Sequence, residues 1–482
     1  MLIPILIILP LVAALVIGFL NGTAARVIAL AVGLVELALV VLALTQYQYT
    51  ADAQYVFTAP WVPSLGIQFK VGMDGISLLL VLLTTVLMPL IVLSGFGKAF
   101  KNQSLLFALI MAMEAGLIGV FTAMDAFLFY IFWEVALIPI YFICLLWGGT
   151  ERVRVTLKFF IYTLAGSLLM LVAFIYLYFH TPEPHTFDLS VFASLNLDEG
   201  VQGYLFLAFF LAFAIKMALF PFHTWQPDTY SEAPTQGTMI LSALMSKMGI
   251  YAVLRILLPL APQALADYGH AAILVAVIGI VYASLVALSQ QDWKRLIAYS
   301  SIAHIGLMAA GIFTLNQQAL QGSVVQMVSH GITAVGLFFL VDILESRTGT
   351  RDIKSMSGVR LVAPAIAAYL LIMVLANIAL PLTNGFVGEF LLLSGVFQYH
   401  PWIAAVAGTG TILGAWYMLS AYQYSILGDK TAVTVGIADL NLREKLVLVP
   451  IVILVFGIGV YPQPILDIAA PAVEHLLQMV VK

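Results

Sequence analysis

The chain has 482 residues, 62% of them hydrophobic and only 9% charged, with a formal net charge of −4, against a soluble norm of about 45–50% apolar and about 25% charged. No water-soluble surface can be built from that composition, and no GxGxxG or GxxxxGK[ST] string for a nucleotide is present. The one cysteine, Cys144, excludes disulfides within the chain and cysteine-ligated iron–sulfur clusters, so any redox chemistry belongs to another chain.

Apolar runs long enough to cross a bilayer, about 20 residues each, recur from Leu2 to Val460 and predict an all-α polytopic membrane protein. In chain order the fourteen expected spans are 2–20, 24–46, 74–96, 104–121, 125–147, 155–180, 203–221, 233–258, 270–289, 294–314, 317–343, 361–398 with an interruption, 402–427 and 444–461. The first, MLIPILIILPLVAALVIGFL, lacks a basic leader and reads as a retained span. Asp74, Asp125 and Asp292 precede apolar runs and read as helix N-caps. Asp228 and Glu232, in QPDTYSEAPT, are expected to shape a turn and cap the next helix. The connections 47–73 and 181–202 read as plain linkage, and the tail after Tyr461 as a short interfacial helix, too short for a further span.

Basic residues test the count. Of 20 Lys and Arg, 15 fall on one set of alternate loops and 3 on the other, with Lys216 and Lys247 inside spans. A wrong count would scramble that asymmetry, so it predicts an even number of spans with both termini on the outer face.

A central Lys or Asp in a span costs about 2.5–3.5 kcal/mol, so the interior ionisable residues need a reason. Glu134 lies in FLFYIFWEVALIPIYF, Lys216 in LAFAIKMALFPFHTW and Lys247 in LSALMSKMGIYAVLR; His304, His330 and Glu389 occupy three further spans. A lone histidine reads most simply as a structural group bonded to a neighbouring helix. Six such groups at matched depth point to a proton or ion path, because packing alone would use Ser, Thr or Asn. Glu114, in MAMEAGLIGV, faces either the same path or a separate polar neighbour.

Pro221 follows Lys216 by five residues, and Pro381, with Thr383, Asn384 and Gly385 behind it, interrupts the twelfth span. Proline removes a backbone hydrogen bond, and unpaired backbone at membrane depth is tolerated only inside protein or facing water. Internal hydrated cavities are therefore expected at both breaks. KMALFP and NIALP resemble each other five spans apart, the spacing of an inverted repeat. The expected layout is one membrane domain: three N-terminal helices in 1–100, one five-helix repeat in 104–258 (spans 4–8), a second in 270–427 (spans 9–13), and a last helix with its tail in 444–482.

The strings FWEVALIPIYF, IKMALFPFHTWQPDTYSEAPT, DWKRLIAYSSIAHIGL, QMVSHGITAVGLF, GFVGEF and YPQPILD together resemble the M-type (subunit 4 type) antiporter-like subunits of bacterial respiratory complex I, the proton-translocating NADH:quinone oxidoreductase, over nearly the whole chain. The resemblance implies that Glu134 pairs with Lys216, that Lys247 is the central proton carrier, and that His304 and His330 lead to a terminal Glu389. It implies a bacterial cytoplasmic membrane location, neighbours of the L and N type, no cofactor on this chain and no nucleic-acid partner, with NADH, FMN, iron–sulfur clusters and quinone used elsewhere in the complex. Many relatives have proline where this chain has Ala218 and glycine where it has Leu382. The same core would serve a multisubunit cation/proton antiporter or a membrane-bound hydrogenase. A stand-alone solute transporter fits less well, since the polar residues form a line and do not ring one pocket.

Overall fold

The computed structural model describes residues 1–481. Among them, eleven helices are long and apolar enough to cross a membrane, or twelve if a bent C-terminal pair counts as one span, and two shorter apolar helices accompany them. The chain divides into two compact units, Met1–Met217 with Leu244–Ala271 and Asp467–Lys482, and Ala218–Ala243 with Ala272–Leu466.

The first unit holds α1 (Leu2–Gly18), α2 (Gly22–Gln46), α3 (Gly75–Ser94), α4 (Gln103–Thr122), α5 (Ala126–Trp147), α6 (Arg152–His180) and α7 (Glu199–Lys216). Asp74 caps α3 by accepting the Ser77 N–H at 2.9 Å, and Asp125 caps α5 by accepting those of Phe127 and Leu128 at 3.0 Å each, as expected of both. Helices α4 and α5 approach through glycines. A Cβ at Gly116 would lie 2.9 Å from the Ala136 nitrogen, and one at Gly119 2.2 Å from the Phe132 ring. Small residues of this kind let backbones meet where no hydrophobic force drives helices together.

The segment 47–73 is more than plain linkage. It folds as an antiparallel hairpin, β1 (Gln54–Val62) and β2 (Ile67–Met73), turned by Pro63–Leu65 and by Gly66 at φ +62°. Its β-branched and aromatic content favours strands once the chain has left the bilayer. Lys70 on β2 pairs with Asp188 at 2.5 Å.

Helix α8 (Thr235–Leu260) is followed by α9 (Pro262–Leu288). In the second unit come α10 (Trp293–Phe313), α11 (Gln317–Thr348), α12 (Pro364–Asn377), α13 (Asn384–Tyr399), α14 (Pro401–Ile426) and α15 (Leu442–Val460). Asp292 caps α10 through the Arg295 N–H at 3.0 Å. The apolar stretch of α11 is wholly buried, making it the hub of this unit. Asp228 and Glu232 lie within a short helix, Trp225–Glu232, in place of the expected turn; Asp228 meets Arg295 at 3.1 Å. The C-terminal tail forms α16 (Gln463–Val480), which buries Ile468, Ala469, Ala472, Val473 and Leu476 along one face.

Candidate functional site

The first group of titratable residues gathers around α5 and α7. Lys216 is the last residue of α7 and only 2% exposed. Its Nζ has no hydrogen-bond partner among the described residues and lies 4.9 Å from the centroid of the Trp133 ring. Glu134, the next residue on α5, supplies the opposite charge that acts on it, so the implied pair is coupled electrostatically without a hydrogen bond. The Tyr130 hydroxyl, one turn earlier on α5, reaches both Glu134 and Ser167.

Helix α7 ends at Lys216, five residues before Pro221, because Ala218 takes a left-handed φ of +57°. The second break repeats this device. Helix α12 ends at Asn377, Ala379 has φ +56°, and Leu382 has φ +75° before α13 resumes at Asn384. Gly385 admits the Ala376 carbonyl, which a Cβ would meet at 2.2 Å.

Lys247 is fully buried on α8, and its Nζ donates to the Ser246 hydroxyl at 3.2 Å. It sits in a short α-helical stretch between two π-helical turns, Leu241–Met245 and Val253–Leu257. Such turns concentrate at functional sites because they interrupt the regular i→i−4 ladder. Gly249 brings α8 against the end of α7; a Cβ there would lie 2.9 Å from the Phe213 carbonyl and the Met217 nitrogen.

In the second unit three of the expected residues are brought together. His304 Nδ1 lies 2.8 Å from Glu389 Oε1, and the His304 and His330 rings are 5.5 Å apart, centroid to centroid. Gln326 and Thr411 donate to the two Glu389 oxygens at 3.5 and 3.3 Å. A cavity of about 20 Å³ is bordered by His304, Asn377, Ile378, Glu389, Thr411 and Tyr417. A single water needs about 10–15 Å³ and two to four polar partners, so this space suits one. It adjoins the inner side of the α12 break, where a hydrated cavity was expected, whereas Leu380, Pro381 and Leu382 on the other side are exposed at the chain's surface.

The break is tied to its neighbours by two asparagines, Asn377 and Asn384, whose partners lie on other helices. The Ser300 hydroxyl donates to Asn377 Oδ1 at 3.0 Å, and Asn384 Nδ2 donates to the Ser329 carbonyl at 2.9 Å. Gln326, Asn377 and Thr411 were legible only as polar interruptions of apolar spans. Glu114 does not join the Glu134–Lys216 group: its carboxyl faces Glu36 on α2, a residue the sequence reading did not single out.

Residues 123–414 match the family described as NADH:quinone oxidoreductase/Mrp antiporter, TM. The chain belongs to this family. It is 42% identical over 437 residues to the NADH-quinone oxidoreductase subunit M of Rhodobacter capsulatus, a match covering 88% of this chain and 85% of the relative. Its fold matches a chain of respiratory complex I from Thermus thermophilus with a TM-score of 0.92, at 31% identity and over 100% of both chains. A chain of the Mrp complex from a Dietzia species has a TM-score of 0.88 over the same full coverage, at 20% identity, which is a likeness of fold alone.

Proposed function

We propose that the chain is a proton-translocating membrane-arm subunit of an NADH:quinone oxidoreductase, driven by quinone reduction on other chains of that complex. NADH, FMN, iron–sulfur clusters and quinone act there, and this chain contributes ionisable side chains. The observation that carries the reading is Lys216: a buried ammonium without a hydrogen-bond partner, held by an aromatic face and one carboxylate. A cation fixed that weakly can move.

In this reading Lys216 is the switch. Near Glu134 it stays charged; when it swings toward Lys247, like-charge repulsion drives a proton from Lys247 to His330 and His304, and Glu389 releases it to the outer side. Separating a Glu/Lys pair from about 4 to about 10 Å weakens it by roughly 2.5 kcal/mol at an effective dielectric near 20. Moving one charge against 100 mV requires about 2.3 kcal/mol, so one such step has the right magnitude.

The matching breaks, Ala218 at φ +57° and Ala379 at φ +56°, support two inverted repeats, 104–258 and 270–427. We place the chain in a bacterial cytoplasmic membrane with both termini outside, beside neighbours of the L and N type.

A tagged chain, gently extracted from its host, tests the reading. NADH dehydrogenase activity, flavin and iron migrating with it on a native gel are expected. A band without them, showing Na⁺/H⁺ exchange, would establish the antiporter alternative that the family's description also names. Within the oxidoreductase, Glu134→Ala or Lys216→Ala is expected to lower pumping and coupled quinone reduction sharply while assembly survives. Normal proton yield in either variant refutes the switch.

A further inference from the structure

Glu36, midway along α2, and Glu114, midway along α4, are both 0% exposed, and none of their four carboxyl oxygens meets a donor among the described residues. The two carboxyls face each other within hydrogen-bonding reach, and the charge of Glu114 acts on Glu36.

Their surroundings offer no compensation. Helices α1 and α3, which pack on α2 and α4, carry no ionisable side chain. The Thr84 and Thr85 hydroxyls donate to carbonyls of their own helix. Arg26, at the start of α2, donates to the Phe96 carbonyl and to Gln103. Of the other elements against α4, α5 carries Tyr130, Glu134, Tyr141 and Cys144, α8 carries Lys247, Tyr251 and Arg255, and β2 carries Lys70, which is paired with Asp188. Two adjacent carboxylates in an apolar interior cannot both ionise, because desolvation and mutual repulsion each disfavour the second charge. Among the described residues no third His, Cys, Asp or Glu joins them to complete a set that could hold a metal.

We propose that Glu36 and Glu114 form a proton-sharing acid–carboxylate pair, a second proton-holding site in the first unit that is separate from the Glu134–Lys216–Lys247 group. The proton lies between one oxygen of each carboxyl: Glu36 donates as the acid and Glu114 accepts as the carboxylate, or the reverse. Loss of that proton leaves two facing charges, and gain of a second gives a neutral acid pair, so the two groups titrate as a unit in two well-separated steps. The proposal uses the reading of this chain as a proton carrier only to give the store a purpose. The pair itself follows from burial and placement.

The test is infrared pH-difference spectroscopy on the intact complex purified from its host, in H₂O and D₂O, without turnover. The expected result is a protonated-carboxyl C=O band that shifts down in D₂O and titrates in two separated steps. Both steps are expected to give way to a single one in Glu36→Gln and in Glu114→Gln, and the band to vanish in the double glutamine variant, which keeps the shape of the pair. Lys216→Ala, which tests the pumping switch, is expected to leave the band in place, so failure of the switch and failure of the pair are distinguishable. A band that survives the double variant, or two carboxyls that titrate together in one step, overturns the proposal. So does a band displaced by Na⁺ at constant pH, which assigns the pair to a cation.

Discussion

Trp133 gives the most direct handle on the proposed switch. The Lys216 ammonium lies 4.9 Å from its ring centroid, with the two residues 2% and 1% exposed. A cation over an aromatic face within about 6 Å gains roughly 0.5–1 kcal/mol when exposed and about 2 kcal/mol when desolvated. Both groups here are desolvated, so replacing the ring with an aliphatic side chain is expected to cost about 1.5 kcal/mol of the preference of Lys216 for the α5 side, close to a tenfold shift in that equilibrium. Trp133 also packs on Phe129 and Phe213, at 5.6 and 5.9 Å between ring centroids, so a packing control is required. Trp133→Leu removes the face, whereas Trp133→Phe loses similar volume but keeps a π face. With the complex in proteoliposomes, dye-reported acidification per quinol formed is expected to fall severalfold in Trp133→Leu and to stay near normal in Trp133→Phe. Equal damage in the two variants would mean that packing, and not the cation–π contact, explains the loss. An unchanged yield in Trp133→Leu would refute the role of the ring altogether.

Leu382→Gly is expected to stabilise the chain. A non-glycine residue held at φ +75° pays about 1–2 kcal/mol, partly offset by the greater freedom of glycine when unfolded, so a net gain of about 0.5–1 kcal/mol is expected as slower thermal inactivation. Gly249→Val is expected to do the reverse. Its Cβ would sit 2.9 Å from the Met217 nitrogen, and overpacking of this kind costs about 1–3 kcal/mol, read as lower yield of assembled complex on a native gel. At the hairpin, burial alone would raise the Asp188 carboxyl, but the Lys70 ammonium and the Ser190 donors outweigh it and hold it below the usual carboxylate range. The folded value is therefore under the unfolded one, so the pair stabilises the hairpin at neutral pH and that stability is lost as pH falls through the folded value. Corrected for the intrinsic pH dependence of exchange, the amide protection of residues 54–73 is expected to fall on acidification in the native chain, and to be lower at neutral pH and nearly insensitive to acid in Asp188→Asn.

Much of the site was legible as isolated residues. An ionisable group in an apolar span announces itself through its desolvation cost, which is how Glu134, Lys216, Lys247, His304, His330 and Glu389 stood out. The caps at Asp74, Asp125 and Asp292 were equally local, since a cap is decided within four residues. Other features carried no such signal. Glu36 lies in GLVELALVV, a run apolar enough that one carboxylate drew no attention, and only its partner on α4 gives it meaning. The π-helical turns around Lys247 leave no mark in residue type. The end of α7 was misplaced toward Pro221 because proline is a visible helix breaker, whereas the left-handed Ala218 that actually ends it looks like an ordinary helix former.

The sequence by itself determined that this chain is a bundle of membrane-crossing helices, where most of them run and which interior charges need a purpose. Each of those facts is a balance struck within about 20 residues between burial and desolvation. Only the tertiary structure decided the partners: Glu114 against Glu36 and away from Lys216, Lys216 over Trp133 without a hydrogen bond to Glu134, and His304 in contact with Glu389. Those choices depend on which helix face meets which. In a membrane that is set by close contacts at scattered small residues such as Gly116, Gly249 and Gly388, whose neighbours lie in other helices and cannot be read from the residues on either side.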